Sequence, residues 1–266
     1  MRLKGLVGVV FFCFACASCA TVALTGRTQL AFIPAETMLS MSNQEYSDFL
    51  KSNKLSTDAN KTRMVKTVGK RIQQAVERYL RDNNLSDRLK NYNWEFNLVE
   101  SDELNAWCMP GGKVVVYTGI FPVTKDEAGL AVVMAHEIAH AIARHGEERM
   151  SQGLLAQVGE FALSSALEKK PAETKKLWST VFGLGARYGV ILPYSRLHES
   201  EADRLGLIFM AMAGYDPHAA TAFWERMSQA KENRLNLEFL STHPSDKTRI
   251  SNIKALIPEA MSYYHP

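Results

Sequence analysis

The spacing of apolar residues along the chain predicts a mainly helical α+β fold. From residue 58 to residue 80, apolar side chains recur every three or four positions, as they do on the buried face of an amphipathic helix. The pattern changes to strict alternation at residues 92–99, and residues 113–117 are rich in valine, so both segments are predicted strands. We therefore expect a small β-sheet in a chain of helices, with a helix opening near residue 42.

A helix predicted at residues 126–150 is apolar on nearly all sides, which is typical of a buried helix, yet it contains His136, Glu137 and His140. Histidines four residues apart lie on one helix face, so their rings can converge on one ion, and two imidazoles at this spacing suit Zn²⁺. Glu137 points about 100° away, where it can serve as general base toward water activated by the metal. Because unpaired buried polar groups are costly, we predict one zinc ion per chain here rather than a chance match.

A second helix is predicted from residue 193 to residue 212, with Gly214 as its stop, and it carries three acidic residues. Glu199 and Asp203 are four residues apart and share a face, whereas Glu201 points about 160° away from it. If the shared face is directed toward the metal, Glu199 is the third ligand. Asp203 can then accept a hydrogen bond from the far ring nitrogen of a ligating histidine. The alternative, an acidic turn in solvent, leaves the paired spacing unexplained.

The segment at residues 105–112 lies between the two predicted strands and ends in Pro110-Gly111-Gly112, which marks a turn. A strand before this turn would form an edge of the sheet beside the metal helix. Unpaired backbone groups on such an edge can bind an extended polypeptide. Asn105 and Ala106 are therefore candidate substrate-binding residues, and a hairpin without a role in binding is the alternative.

The N-terminus has the pattern of a targeting segment. Arg2 and Lys4 precede a short apolar run and then small residues up to Cys19. This pattern resembles a bacterial lipoprotein signal, which implies cleavage after residue 18 and a lipid on Cys19. Secretion with cleavage near Ala20 is the alternative. In either case Cys108 is the one cysteine left for the folded domain, so an internal disulfide is not expected.

Composition narrows the choice of partners. The chain has 31 basic and 28 acidic side chains, a balance that gives no argument for binding nucleic acid. Two apolar segments at residues 153–167 and 177–192 flank a break at Lys170-Pro171. We favour a pair of helices packed over the active-site side rather than a membrane-inserted hairpin, because both segments are short and interrupted.

Several of these segments together resemble the HtpX and CAAX-prenyl-endopeptidase family of gluzincin metallopeptidases. The resemblance rests on His136–His140, Ser195-Arg196-x-x-Glu199-x-x-Ala202-Asp203, Asn105-Ala106 with Pro110-Gly111-Gly112, and Thr242-His243-Pro244-Ser245. The segment from Cys19-Ala20-Thr21 to Thr25-Gly26-Arg27 is similar to lipoprotein members of the family. The resemblance covers nearly all of the chain after residue 18.

The resemblance implies a zincin-like endopeptidase domain with a specific set of site residues. The zinc ligands would be His136, His140 and Glu199, the general base Glu137, and Asp203 would support a ligand. In related peptidases a histidine at the position of His243 can approach the metal, where it holds the oxyanion or occupies the open zinc position. A loop histidine without such a role is the alternative, and the role of Arg249 is undecided.

We accordingly predict a signal peptide at residues 1–18, a tether at 19–41 and a zinc metallopeptidase domain at 42–266. The predicted function is hydrolysis of peptide bonds in misfolded or unassembled envelope proteins. A lipid on Cys19 followed by Ala20 implies attachment to the outer membrane of a Gram-negative bacterium, on the periplasmic side. The competing hypothesis is a non-catalytic chaperone or assembly factor for outer-membrane proteins with a structural zinc. Glu137 favours the enzyme, because a structural site needs no base.

Overall fold

The computed structural model describes residues 19–22, 24–168, 170–186, 192–232, 239, 243 and 247–265. The described part is mainly helical with a small sheet, which confirms the predicted fold class. The predicted signal peptide at residues 1–18 lies outside the described residues, as do Thr242, Pro244 and Ser245. The chain divides into two compact units, one of Met1–Met38 and Arg144–Leu197, the other of Leu39–Ala143 and His198–Pro266.

Among the described residues, the strands all lie in the first half of the chain. Two short strands, β1 (Cys19–Thr21) and β2 (Thr28–Leu30), precede helices α1 (Ala35–Ser52) and α2 (Ala59–Asp82). Strands β3 (Glu95–Val99), β4 (Ala106–Met109) and β5 (Lys113–Tyr117) come next, then the short helix α3 (Phe121–Thr124) and the long helix α4 (Glu127–Ile142). The remaining helices are α5 (His145–Ala166), α6 (Ala172–Ala186), α7 (Leu192–Met212), α8 (Ala219–Glu232) and α9 (Lys247–Met261).

The sheet of the second unit has the strand order β3–β5–β4. The central strand β5 is parallel to β3 and antiparallel to β4, and all five of its residues are buried. Its one charged residue, Lys113, donates hydrogen bonds to the Glu95 carboxylate at 2.6 Å and to the Asn93 carbonyl at 2.7 Å. Strand β4 is an edge strand and packs against α4, which confirms the prediction that an edge strand flanks the metal helix.

Helix α2 follows the predicted amphipathic pattern. Asp58 caps its N-terminus, accepting hydrogen bonds from the backbone N–H groups of Asn60 and Lys61 at 3.0 Å. Its buried face contains Val65, Val68 and Ile72 and packs against α4 and β3, so the helix backs both the sheet and the metal helix.

The first unit joins the N-terminal strands to α5. Strands β1 and β2 pair in antiparallel orientation, and Arg27 donates hydrogen bonds to both carboxylate oxygens of Glu148 on α5, at 3.0 and 2.7 Å. The backbone N–H of Phe32 donates to Ser151 Oγ at 3.1 Å. The region predicted as an extended tether therefore contains paired strands that are bound to a helix.

Helix α1 begins at Ala35 rather than near residue 42. Met38, Ser42 and Tyr46 are buried at intervals of four residues, so the stripe that holds the helix in place starts earlier than the sequence suggested. Ser42 donates a hydrogen bond to the Pro110 carbonyl at 2.7 Å, which compensates the burial of its hydroxyl group.

Helices α5 and α6 match the predicted helical pair as far as residue 186, and residues 187–191 of the second predicted segment lie outside the described residues. The two helices pack against each other at Gly159 and Phe182. Among the described residues, no helix is both long enough and apolar enough to span a membrane. The predicted location of the pair over the active-site side remains a prediction.

The turn between β4 and β5 yields a stability prediction at Gly112, whose φ is +81° and whose added Cβ would lie 2.6 Å from the Trp94 ring. We expect Gly112→Ala to destabilise the protein, because it adds backbone strain of about 1 kcal/mol and a clash of roughly 1–3 kcal/mol. Gly26→Ala is the matched control, since Gly26 has a φ of +73° with nothing within 4 Å of an added Cβ. Urea unfolding of both variants measures the difference, and equal losses would contradict the contact with Trp94.

Candidate metal centre

Helix α4 places two histidines and a glutamate in the core. All of its residues from Gly129 to Ile142 are buried, including His136, Glu137 and His140. Asp126 caps the helix by accepting a hydrogen bond from the Gly129 N–H at 2.8 Å. The Nε2 atoms of His136 and His140 lie 3.1 Å apart, so both rings face the same point, as the four-residue spacing predicts.

Helix α7 brings Glu199 to the two histidines. One carboxylate oxygen lies 3.3 Å from His136 Nε2 and the other lies 3.3 Å from His140 Nε2. The helices can approach this closely because Gly206 has no side chain. A Cβ at Gly206 would lie 3.1 Å from the Cα of His136.

His243 completes the cluster from the segment between α8 and α9. Its Nδ1 lies 3.0 Å from each carboxylate oxygen of Glu199 and 3.3 Å from His136 Nε2. Its ring also stacks on Phe239, with 4.6 Å between the ring centroids. Donor atoms of His136, His140, Glu199 and His243 all lie within 4.8 Å of one another, and all four residues are buried.

The spacing of these atoms fits a tetrahedral metal ion. Ligands about 2.0–2.1 Å from a tetrahedral zinc lie roughly 3.4 Å apart. The His136–His140, His136–Glu199 and His140–Glu199 distances are 3.1, 3.3 and 3.3 Å. Imidazole nitrogens with one carboxylate oxygen are also a common donor set for zinc in hydrolases.

The charges at the site also require a cation. The carboxylates of Glu137, Glu199 and Asp203 are buried together with one guanidinium, that of Arg249. Burial alone would lower the pKa of His136, but hydrogen bonds with Asp203 and Glu199 outweigh burial and raise that pKa to about 9. A proton on His136 thus supplies part of the positive charge that a bound metal ion would provide.

Glu137 faces the cluster without taking part in it. Its Oε1 is buried and has no hydrogen-bond partner among the residues that the structure describes. The Nε2 atom of His243 lies 3.4 Å from this oxygen. An orphaned carboxylate oxygen beside a metal-binding cluster is available to accept a proton.

Asp203 and Arg249 support the cluster from behind. Asp203 lies 3.1 Å from His136 Nδ1, so that Nδ1–H can donate to the carboxylate while Nε2 faces the metal position. Arg249 donates two hydrogen bonds to Asp203, at 2.9 and 2.7 Å, and a third N–H group lies 3.1 Å from Glu199. Burial raises the pKa of Asp203, but the Arg249 charge and the His136 hydrogen bond lower it more, so Asp203 is ionised.

The sequence left the role of Arg249 undecided, although a signal was present. Arg249, Ile253, Ile257 and Ala260 are all buried on α9, at helical spacing. A charged residue on the buried stripe of an amphipathic helix needs an ionic partner. The paired acids of α7 are the natural candidates. The guanidinium also lies 3.6 Å from the ring centroid of Trp224, a cation–π contact that encloses its other side.

The predicted substrate-binding residues lie at the start of the edge strand. Asn105 precedes β4 and Ala106 is its first residue, paired with Val116 of β5. Cys108 lies two residues further along, and burial raises the pKa of its thiol well above the usual value. A neutral thiol is a poor nucleophile, so Cys108 is not a candidate catalytic residue.

Comparison with known proteins connects this geometry to a family. A sequence model of Peptidase family M48 matches residues 67–257. The chain is 38% identical over 191 residues to the mitochondrial metalloendopeptidase OMA1 of Schizosaccharomyces pombe, which is 71% of this chain and 53% of that protein. It is 28% identical over 263 residues to the human metalloendopeptidase OMA1, which is 96% of this chain and 49% of that protein. It is also 33% identical over 167 residues to the beta-barrel assembly-enhancing protease of Escherichia coli, which is 60% of this chain and 34% of that protein.

Two further findings follow from these relatives. The chain spans about half the length of the fungal proteins it matches. The predicted location on the periplasmic side of a Gram-negative outer membrane was wrong, because relatives from fungi, a plant and animals are named as mitochondrial proteins. That prediction depended on a few N-terminal residues, whose basic, apolar and small pattern does not define one destination.

The Arg249–Asp203 pair yields a stability prediction. We expect Arg249→Met to lower the free energy of unfolding by about 3–5 kcal/mol, because it leaves a buried carboxylate without its charge partner. Arg204→Met is the matched control. Arg204 makes a similar bidentate contact with Glu259 on α9. Both side chains are more than a third exposed, so the loss of this pair should cost less than about 1 kcal/mol. Urea unfolding in the presence of a metal chelator measures the free energy of unfolding of both variants. Equal losses would contradict the claim that the buried Arg249–Asp203 pair contributes more than the exposed pair.

Proposed function

Because this chain belongs to Peptidase family M48, we propose that it is a zinc-dependent endopeptidase, which hydrolyses internal peptide bonds of polypeptides. The observation that carries this proposal is the convergence of His136, His140 and Glu199 on one point beside the orphaned carboxylate oxygen of Glu137. Two histidines and a glutamate with a base next to them are typical of a catalytic zinc site, in which the fourth position is used by water or substrate. Here the Nδ1 atom of His243 lies within reach of that fourth position.

The family uses zinc, and the residues that would hold it are His136, His140 and Glu199. Zinc bound there supplies a Lewis acid that polarises the scissile carbonyl and lowers the pKa of water toward about 7. Asp203 fixes the ring of His136 with Nε2 toward the metal position, and Arg249 holds Asp203 and Glu199 in place.

Glu137 carries the proton through the reaction. Its carboxylate accepts a proton from the attacking water as the oxygen of that water forms a bond to the carbonyl carbon. The same proton then passes to the amide nitrogen as the carbon–nitrogen bond breaks, so the products are a carboxylate and an amine. The orphaned Oε1 supports this role, because its lone pairs are not occupied by hydrogen bonds within the described residues.

His243 has two candidate roles in this scheme. It can stabilise the oxyanion, or it can take the position that the attacking water needs and hold the enzyme in a closed resting state. The contacts of Nδ1 with Glu199 and His136, at 3.0 and 3.3 Å, support the closed state, because they direct the ring into the cluster itself. The oxyanion role would require the ring to move away from these partners.

Edge strand β4 is the proposed substrate-binding element. An extended polypeptide can pair with β4 at Asn105 and Ala106, beside the helix that carries Glu137. The Asn105 carbonyl accepts a hydrogen bond from the Tyr117 N–H, and the Ala106 N–H donates to Asn105 Oδ1, so a substrate would have to replace the Asn105 side chain at Ala106. Because such pairing depends on backbone groups, it accepts many sequences. The restriction to misfolded or unassembled envelope proteins remains a prediction.

The N-terminal assignments also remain predictions. Cys19 is the first residue of β1 and pairs with Leu30 of β2. Attachment of a lipid there and cleavage after residue 18 are testable by measuring the mass of the purified protein. The division into a tether at 19–41 and a peptidase domain at 42–266 is also still a prediction.

The first catalytic prediction concerns Glu137. We expect Glu137→Gln to retain about one zinc per chain and to lose at least ~100-fold in turnover, because the amide cannot accept the proton. Glu127→Gln, at the other end of the same helix, is the control and should remain active. Cleavage of casein with and without a zinc chelator measures the effect. A preparation of Glu137→Gln that is free of other proteases and still cleaves at the normal rate would refute the role of the base.

The second prediction concerns the third ligand. We expect Glu199→Ala to lower zinc affinity by more than the ~10–100-fold typical of removing a supporting residue. Glu201→Ala is the matched control, because Glu201 is also buried and lies two residues away on α7, on a different side of the helix. Zinc titration of both variants decides the assignment, and the reverse order of affinities would exclude Glu199 as the ligand.

A further inference from the structure

Helices α5 and α6 expose an unusual amount of apolar surface. Phe161 is 75% exposed, Leu177 is 61% exposed and Trp178 is 51% exposed. Further large apolar side chains on the same two helices are also exposed, namely Met150, Leu154, Leu155, Val158 and Val181. Isolated exposed apolar residues are ordinary, but a group of this size on two adjacent helices indicates a surface that binds something.

The two helices are antiparallel and contact each other at one defined point. The short segment at residues 167–171 joins the two helices, which pack against each other and therefore run antiparallel. They touch at Gly159 and Phe182, since a Cβ at Gly159 would lie 2.7 Å from the Phe182 ring.

Three exposed apolar residues on each helix occupy the same positions relative to this contact. Leu154, Leu155 and Val158 precede Gly159 by five, four and one residues. Leu177, Trp178 and Val181 precede Phe182 by the same intervals. Antiparallel helices with equivalent contact points are related by a two-fold axis perpendicular to the pair, so equivalent residues lie on the same side. We call the surface formed by Met150, Leu154, Leu155, Val158, Phe161, Leu177, Trp178 and Val181 the apolar face of the pair.

Lysines are concentrated at the end of the pair where the two helices are connected. The segment from residue 168 to residue 176 contains Lys169, Lys170, Lys175 and Lys176 against Glu168 and Glu173, and the last two lysines are exposed on α6. Glu160 is exposed on α5, outside the apolar face. An apolar face with Trp, Phe and Leu and with lysines at its end is the composition of helices that lie in the interface of a bilayer.

We propose that the apolar face of the α5–α6 pair inserts into the interface of an anionic phospholipid bilayer, with the lysines of residues 170–176 at the headgroups. The excess of positive charge at the connection complements anionic lipid. The apolar side chains enter the boundary between headgroups and acyl chains, which removes them from water. This surface belongs to the chain whether or not the proposed peptidase activity is correct.

Trp178 provides a direct test, because it is the most exposed of the four tryptophans and lies on the apolar face. The full chain is mixed with phosphatidylcholine vesicles that contain brominated acyl chains, with and without phosphatidylglycerol. We expect quenching of tryptophan emission that is stronger with phosphatidylglycerol. Trp178→Phe should remove most of the quenching while the protein still sediments with the vesicles, because Phe keeps the apolar surface. The readout reports on the helix pair itself and is independent of any other membrane-binding segment.

Two variants separate insertion from adsorption. The double variant Phe161→Ser with Leu177→Ser should raise the lipid concentration for half-maximal quenching by roughly tenfold or more. Leu55→Ser is the matched control, since Leu55 is 45% exposed but lies outside the helix pair, and it should change nothing. Circular dichroism of each variant verifies that the fold is kept.

Three results would overturn the proposal. If the wild-type emission is not quenched, or if wild type and Trp178→Phe are quenched to the same extent, the apolar face does not enter the bilayer. Equal quenching in phosphatidylcholine alone would remove the role assigned to the lysines. Self-association that the double variant abolishes, without quenching by lipid, would show that a second copy of the chain covers this face.

Discussion

The buried contact between Arg249 and Asp203 is the interaction on which the metal centre depends. It joins α9 to α7, and Asp203 in turn contacts His136 on α4, so one ion pair fixes three helices at the site. Neither charge can be left unpaired in the core without a cost of several kcal/mol. The helices therefore cannot shift relative to one another without breaking the contact that supports His136. Trp224 reinforces this arrangement by enclosing the guanidinium from its other side.

The balance of buried charge explains why the site suits a divalent cation. Three carboxylates lie together in the core, and Arg249 compensates the charge of one of them. Burial would lower the pKa of His136, but hydrogen bonds with Asp203 and Glu199 raise it. Burial would raise the pKa of Glu199, but hydrogen bonds from His136, His140 and His243 lower it, so this carboxylate is paired with positive charge. His243 contributes a fourth donor atom from the part of the chain between α8 and α9.

Most of the centre could be predicted from the sequence because its residues sit on helices. The four-residue spacing of His136 and His140, and of Glu199 and Asp203, determines which side chains share a face before any contact is known. The partner of Asp203 was harder to predict, since Arg249 is distant in the chain. The apolar stripe of α9 indicates that Arg249 is buried, but it does not indicate which acidic residue it pairs with. His243 was identified by resemblance alone. Strands β1 and β2 were missed because three residues are too short to show alternation.

The most direct test of the account is crystallography of the purified chain at the zinc absorption edge. We predict one strong anomalous peak per chain, about 2.0–2.1 Å from His136 Nε2 and His140 Nε2 and at a similar distance from a Glu199 oxygen. Such a peak would establish that the helices α4 and α7 hold the metal as their spacing implies. A protein with zinc bound elsewhere, or with Glu199 directed away from the ion, would contradict the central claim.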